Sequence, residues 1–575
     1  MRQVKTAMFS VYDKRGIVAC AQQLHEMGIQ LVSSGGTAQE LRGHNLPVID
    51  VSQLVGHSMH KQLTEIFRRF DILEDIMLRV DPVLFQETLE CLGKPILDHR
   101  VVTLVPQVHA GLLAQLELPK HLTELEELGV PPIDILFLDT YPLKRTAADP
   151  SAAFADIVKM TDIGGPAMLR SAAKGNRLVV CDPADRQPTI NAIRNGEDLD
   201  ALAKALGDKA EAVVADYCLT SARGRSGGLY DGVIGRRYLT SKYGENPWQI
   251  PSGVYTLDSG DPLGGDRFEL VEGTMPGYVG NADRERLLQT ITHIAAGFDV
   301  NHFSVPRIAI AVKHGNACGA GVDEEPMSAL QKMIEGDTLS IFGAVVMTNF
   351  AVDEELSNSL LHYALRTGEE RRMLAGVIAP AFTSGAIEML ARKKGKCQLM
   401  VNPALAKLDR SSLDTAPRIS YIRGGFQMQP NYTFVFKLHD NPKLQVTGST
   451  DTIQNQDITL AWAIGSTSTS NTVTLVQNRK LIGNGVGQQD RVFACQIAVM
   501  RAQRSGHNPA GAVAYSDSFF PQIDGPAVLA EAGVAAIFAS SGSIKDEAVR
   551  AFCVERGVTL YMMPDPDCRG FFAHC

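Results

Sequence analysis

Residues 307–321 read Arg-Ile-Ala-Ile-Ala-Val-Lys-His-Gly-Asn-Ala-Cys-Gly-Ala-Gly. The short apolar run that opens this stretch has the pattern of a buried strand. A cation and an imidazole, Lys313 and His314, close it, and Gly315, Gly319 and Gly321 come next in what reads as a glycine-rich turn. The residue types suit proton and anion chemistry. Histidine titrates near physiological pH, an adjacent lysine can stabilise a forming oxyanion, and glycines let a backbone approach a ligand closely. A bare Lys-His pair is, by itself, more often a solvated strand end.

The same alternation of strand, turn and helix opens the chain. Thr6–Val11 is expected as a strand, Asp13–Gly16 as a turn, Ile17–Met27 as a helix and Gln30–Ser33 as a second strand. Ser34-Gly-Gly-Thr37 then starts a helix and offers backbone N–H groups to an anion, with Lys14 in the turn before it. This is an α/β layout with ligand loops at the C-terminal strand ends. Residues 59–91 interrupt it with a helical stretch, read as an insertion spanning 57–97. Strands are expected again at 101–105 and 134–138, a helix from Gly207, and a domain joint at Gly224-Arg-Ser-Gly-Gly228. Farther on, Ala375–Pro380 with Ser384-Gly-Ala-Ile is echoed by Ala532–Ala539 with Ser541-Gly-Ser-Ile. Ahead of these stand 336–343 and 516–521, so two similar α/β subdomains are expected. Asp162-Ile-Gly-Gly165, with Arg170 and Lys174 on one helix, is a further polar cluster.

A chain of 575 residues exceeds one core and implies two to four domains. The net charge of -9 argues against a general nucleic-acid binder while leaving room for a local basic pocket. No run of eighteen apolar residues predicts a membrane span, and no secretory leader is read at the N-terminus. Ten scattered cysteines without a CxxC pair fit reduced thiols in the cytoplasm better than disulfides or a zinc site, and no metal requirement is expected.

Taken together, the motifs resemble those of the bifunctional family that is an aminoimidazole-carboxamide ribonucleotide (AICAR) formyltransferase and inosine monophosphate (IMP) cyclohydrolase. The resemblance runs almost end to end. It rests on Ser10–Lys14, Ser34–Ala38, Asp162–Arg170, Tyr243-Gly-Glu-Asn-Pro-Trp-Gln249, Lys313-His314, Ser470–Val473, Gly483–Arg491, Ser516–Pro521 and Arg569–His574. It implies a methylglyoxal-synthase-like domain at 1–233 and a formyltransferase domain at 234–575. The latter would hold two cytidine-deaminase-like subdomains, about 234–400 and 430–575. The implied reaction moves a formyl group from 10-formyltetrahydrofolate, as co-substrate, to the 5-amino group of AICAR. The implied assembly is a homodimer with sites built across its interface.

By resemblance, His314 is the proton-transfer group, Lys313 steadies the tetrahedral oxyanion and Asn471 holds the formyl oxygen. Lys242, Tyr243, Gly343, Arg491 and Arg569 match nucleotide-side positions, and Phe519, Phe520 and Asp524 match the folate-side loop. In the N-terminal domain Lys14, Ser34, Gly35, Gly36, Thr37, Arg100, Thr103, Tyr141, Asp162 and Lys174 match the cyclohydrolase site. There are departures. Val102 and Val105 replace a family lysine and histidine, which implies a weak or inactive cyclohydrolase unless Lys61 or His60 of the insertion substitutes. Lys242 replaces an arginine, the turn at Gly315 has lost its proline, and Ile341 and Ala375 differ near the substrate. Positions 315, 341 and 375 leave open a formyltransferase acting on a related amine. A nucleotide- or folate-binding regulator without catalysis is a third reading, opposed by the retention of Lys313, His314 and Asn471 together.

Overall fold

The computed structural model describes residues 3–73, 76, 79–91, 97, 102–365, 367–449 and 451–572. The chain divides into two compact units, 1–234 and 235–575.

The first unit is built on five parallel strands: β1 (Thr6–Ser10), β2 (Gln30–Ser33), β3 (Val48–Asp50), β4 (Ile135–Leu138) and β5 (Leu178–Val180), in the order β3-β2-β1-β4-β5. The central strands are apolar on both faces because helices cover both, as parallel sheets require. One face packs on Ile17, Leu24, Leu41 and Leu206, the other on Leu54, Val108, Leu112 and Leu169. Phe9 and Phe137 stack across β1 and β4 at 4.8 Å. The strand expected at 101–105 does not form over its described residues, 102–105. Residues 102–105 are instead irregular, and Pro106 starts the helix Pro106–Leu113. The helix expected within 57–97 begins earlier, at Val51, directly after β3. Asp50 and Gln53 form a capping box there, and the helix runs to Arg69. The last helix of the unit, Leu199–Ser226, likewise starts before the expected Gly207 and is capped by Asp198.

The second unit opens with a hairpin, β6 (Arg236–Ser241) and β7 (Ser252–Thr256). Its body is a twelve-stranded sheet assembled from two copies of one pattern. The first copy is β8 (Glu269–Glu272), a helix Tyr278–Val300, β9 (Arg307–Lys313), β10 (Asn316–Asp323), a helix Pro326–Gly336, β11 (Val345–Thr348), β12 (Gly376–Ala379) and β13 (Gln398–Val401). A second hairpin, β14 (Arg418–Ile422) and β15 (Gly425–Gln429), separates the copies. The second copy is β16 (Gln445–Thr447), a helix Thr452–Gly465, β17 (Val473–Gln477), β18 (Lys480–Gly485), a helix Arg491–Arg504, β19 (Val513–Ser516), β20 (Ala536–Ser541) and β21 (Thr559–Pro564). The strand order β16-β21-β20-β19-β17-β18-β10-β9-β11-β12-β13-β8 is palindromic, with β18 and β10 side by side at the centre.

Two sequence expectations change here. Residues 316–321 belong to β10 and not to a glycine-rich turn. A Cβ on Gly319 or Gly321 would overlap the carbonyl oxygens of Met333 or Ala329, so these glycines seat a helix on the strand and do not face a ligand. In the second copy Gly483 and Gly485 abut the carbonyls of Ala498 and Ala494 in the same way. The repeat is therefore in register at 319/483 and 321/485. It follows that 516–521, which succeeds β19, corresponds to the segment after β11 and not to 336–343, which precedes it.

Because backbone atoms would have to move, Gly321→Ala and Gly485→Ala are each expected to lower stability by about 1–3 kcal/mol. Matched losses of that size in the denaturation midpoint of the two variants would establish the equivalence. A neutral effect at either position would refute it.

Candidate functional site

In the second unit β9 delivers Lys313 and then turns through His314 and Gly315 into β10. Both turn residues are left-handed, φ 52° and 73°, the two-residue geometry that matches strand twist. Glycine takes that conformation freely, whereas His314 must be held in it. Lys313 Nζ donates to Phe342 O at 2.9 Å, beside Gly343. On the far side of the turn the Thr469 N–H donates to Asn316 Oδ1 at 3.0 Å, although 153 residues separate them. That bond brings the end of β9 in the first copy to the start of β17 in the second.

Asn471 sits in that facing segment. Its Nδ2 donates to Gln488 O at 2.8 Å, leaving one amide hydrogen, and its Oδ1 accepts from Arg491 Nη2 at 2.7 Å. Arg491 also donates to the carboxylate of Asp517, whose side chain is fully enclosed. Arg491 thus spends much of its fork on the protein itself. Arg569 pairs with Asp565 at 2.6 Å and lies 6.0 Å from the Phe519 ring. Phe520 is buried under Gly525, in the core, while Asp524 is exposed. Lys242 and Tyr243 are exposed in the loop joining β6 and β7, and no hydrogen bond among the described residues ties them to the His314 turn. Ile341 is wholly buried against the helix Pro326–Gly336, so its departure from the family pattern is a matter of packing. Ala375 is half-buried, and its N–H donates to Ala344 O.

Two groups escaped the sequence reading. Gly315 N–H donates to Asp283 Oδ1 at 2.8 Å. Burial pushes the Asp283 carboxyl above its ordinary pKa, and the Gly315 N–H and His314 pull it back. Arg286, one turn on, packs beside Gly315 and lies 3.9 Å from the Phe572 ring, and burial lowers its pKa to about 10. The only signal was the charged run Asp283-Arg-Glu-Arg286, just before the buried stretch Leu287–Phe298 of the same helix.

In the first unit a cavity of about 350 Å³ opens at the C-terminal ends of β1, β2 and β4. Lys14, Ser34, Gly35, Gly36, Thr37, Thr103, Tyr141 and Asp162 line it together with Val102. Ser34 does not cap the helix Gly35–Gly43 with its side chain, so first-turn N–H groups remain for an anion. Lys14 Nζ donates to Thr37 Oγ1 at 2.7 Å, and its burial lowers its pKa. Asp162 is raised by burial and pulled back by the N–H groups of Gly165 and Gly164. Lys174 stands apart, exposed at the far end of the helix Gly164–Lys174, about 15 Å along its axis from Gly164 and about 9 Å from Met168, both of which line the cavity. Neither residue of the expected insertion fills the place of Val102. Lys61 donates to Glu126 O, and His60 packs edge-on against Phe85 at 5.6 Å. Arg100 lies outside the described residues.

A parallel α/β unit with an anion cradle and a duplicated sheet with a clamped Lys-His turn define a two-domain enzyme. A family model described as the AICARFT/IMPCHase bienzyme matches residues 172–501, and one described as an MGS-like domain matches 16–167. The chain is 32% identical over 558 residues to the bifunctional purine biosynthesis protein PurH of Anoxybacillus flavithermus, covering 94% of this chain and 95% of that one. It is 29% identical over 568 residues to the protein of the same name from Bacillus mycoides, covering 97% and 98%. The crystal structure of ForH is 26% identical, with a TM-score of 0.29, over 39% of this chain and 99% of that one. The chain belongs to the AICARFT/IMPCHase bienzyme family. It is an enzyme of purine biosynthesis, an AICAR formyltransferase.

Arg491→Ala would strand the enclosed Asp517 carboxylate. Losing one partner of a buried pair typically costs about 3–5 kcal/mol. Thermal unfolding should show that loss, with Arg491→Lys recovering part of it, and an unchanged melting temperature would refute the structural role.

Proposed function

We propose that the second unit carries out formyl transfer from 10-formyltetrahydrofolate to the 5-amino group of AICAR through Lys313, His314 and Asn471. The observation that supports this most is the Asn316–Thr469 hydrogen bond, which sets the Lys-His turn against the Asn471 segment. The amine of AICAR is a poor nucleophile because its lone pair is delocalised. Catalysis therefore rests on positioning and on removing its proton, which the His314 imidazole accepts. Lys313 stabilises the oxyanion as the tetrahedral centre forms, and the remaining Asn471 amide hydrogen is directed to the formyl oxygen. Arg491, Arg569, Gly343, Lys242 and Tyr243 serve the nucleotide. Phe519 and Asp524 serve the folate, with Phe520 supporting them from the core. Redirection to a different amine is not favoured, since Ile341 is a core residue.

The first unit binds a nucleotide phosphate at Lys14 and Ser34–Thr37 and closes the purine ring weakly, because Val102 supplies no charge or hydrogen bond to the wall of the cavity. The exposure of Lys242 and Tyr243 is what an active homodimer, with its sites completed across the interface, would leave on an isolated chain. The nine described cysteines are unpaired, in keeping with a cytoplasmic enzyme, and no helix of the described residues is long and apolar enough to cross a membrane.

Mixing the protein with AICAR and 10-formyltetrahydrofolate, while following tetrahydrofolate release and IMP absorbance, tests both halves. Tetrahydrofolate should appear readily and IMP slowly. His314→Ala should slow formyl transfer by ~10²–10⁴ with nucleotide affinity nearly unchanged, and near-native turnover would reduce His314 to a strand-end residue. Rapid IMP formation from formylated AICAR that survives Lys14→Ala would overturn the reading of the first unit. Light scattering of active protein should report a dimer, and fully active monomer would exclude the shared site.

A further inference from the structure

We propose that Asp283 is a positioning residue for formyl transfer, its carboxylate fixing the His314–Gly315 turn in the conformation that presents the imidazole to the amine. The proposal rests on the reading of His314 as the proton-transfer group.

Three observations carry it. The first is the contact itself: Asp283 Oδ1 accepts the Gly315 N–H at 2.8 Å, immediately after the histidine. The second is the need for it. His314 occupies left-handed backbone space that disfavours a side chain with a Cβ, so the turn persists only where its surroundings hold it. Asn316 clamps the β10 side through Thr469, and Asp283 clamps the turn from the helix Tyr278–Val300.

The third observation comes from the repeat. Asp457 occupies the sixth position of the helix Thr452–Gly465, as Asp283 does in Tyr278–Val300. Its two carboxylate oxygens accept the N–H groups of Asn478 at 2.8 Å and Arg479 at 2.5 Å, in the left-handed turn between β17 and β18. The fold therefore uses one device twice, a helix carboxylate that holds a hairpin turn. In the second copy the turn holds Asn478 and Arg479, and Arg479 is consumed by ion pairs to Asp323 and Glu324. In the first copy the same turn is His314-Gly315, directly after Lys313 at the end of β9. Asp283 thus acts on the reaction through the backbone of the residue it positions.

Two conservative variants of the full-length protein separate position from charge. Asp283→Asn keeps an oxygen that can accept the Gly315 N–H, whereas Asp283→Glu keeps the charge and shifts the acceptor by one methylene. Misplacement of a catalytic group by about 1 Å costs on the order of 10²-fold. The expected result is that Asp283→Glu lowers kcat by roughly 10–100-fold with KM for AICAR little changed, while Asp283→Asn stays close to wild type. In the His314→Ala background Asp283→Glu should cause no further loss. Asp457→Glu should lower the melting temperature and leave kcat intact. Wild-type kcat in Asp283→Glu overturns the proposal. So does an equal loss in Asp283→Asn, which would make charge the active property, and so does an equal loss in Asp457→Glu, which would mean general loosening. Near-native turnover of His314→Ala would instead sink the reading of His314, a separate outcome read from a separate variant.

Discussion

The constraint on which the second unit depends is the contact between a strand and a helix backbone, possible only where the strand has no Cβ. Gly319 and Gly321 meet the carbonyls of Met333 and Ala329 at this distance, and Gly483 and Gly485 meet those of Ala498 and Ala494. These four contacts seat one helix on each of the two central strands, β10 and β18, which then pair with each other. The helices Tyr278–Val300 and Thr452–Gly465 close the opposite face, where Gly297 lies against Thr459 and Trp462. One core, running from Leu287 through Trp462 to Phe538, spans both copies. Neither copy would bury that face alone.

Duplication sets up two equivalent turns, and side chains make them unequal. At the second copy's turn Arg479 joins Asp323, Glu324 and Lys332 of the first copy in an ion network. Partners on three sides hold the Asp323 carboxyl well below the usual carboxylate range. In the first copy the turn carries no such ion network among the described residues and faces the Asn471 segment, so its imidazole remains available for chemistry. A charge network at one turn and a Lys-His pair at the other are alternative uses of the same backbone, since side chains can change while the fold is kept.

The first unit gathers its polar groups at one sheet edge. Its cavity combines helix N–H groups, the Lys14 ammonium and a carboxylate raised by burial, all products of the parallel sheet ending at one edge. The wall at 102–104 is placed by the helix Pro106–Leu113 directly after it. Arg177, itself buried, donates to the carbonyls of Gly111, Leu112 and Ala114 and so anchors that helix to β5. Position 102 therefore faces the cavity whatever its side chain, and Val102 gives that wall no charge and no hydrogen-bonding group.

The sequence by itself determined what is local or periodic. The apolar runs of β1, β4, β9 and β12, the glycine-threonine helix start at 34–37 and the Lys313-His314 pair were legible because strand burial, helix starts and chemical type are written in consecutive residues. Its long motifs also carried the family. What only the tertiary structure decided is everything that depends on contacts distant in the chain. The glycines at 319 and 321 read as a turn because nothing local reveals a helix lying on a strand. Residues 101–105 read as a strand because their apolar pattern fits one, but 102–105 run irregularly into the helix that Pro106 starts. Phe520 read as a ligand residue and packs inside. Asp283 carried no reading at all, yet it reaches a turn thirty-two residues away. The Lys313-His314 turn and the Asn471 segment are brought together by the Thr469–Asn316 bond, across 153 residues. Local propensity has no term for such a meeting: the partner is chosen by how two copies of one pattern pack, and that choice is made only when the sheet closes at its centre.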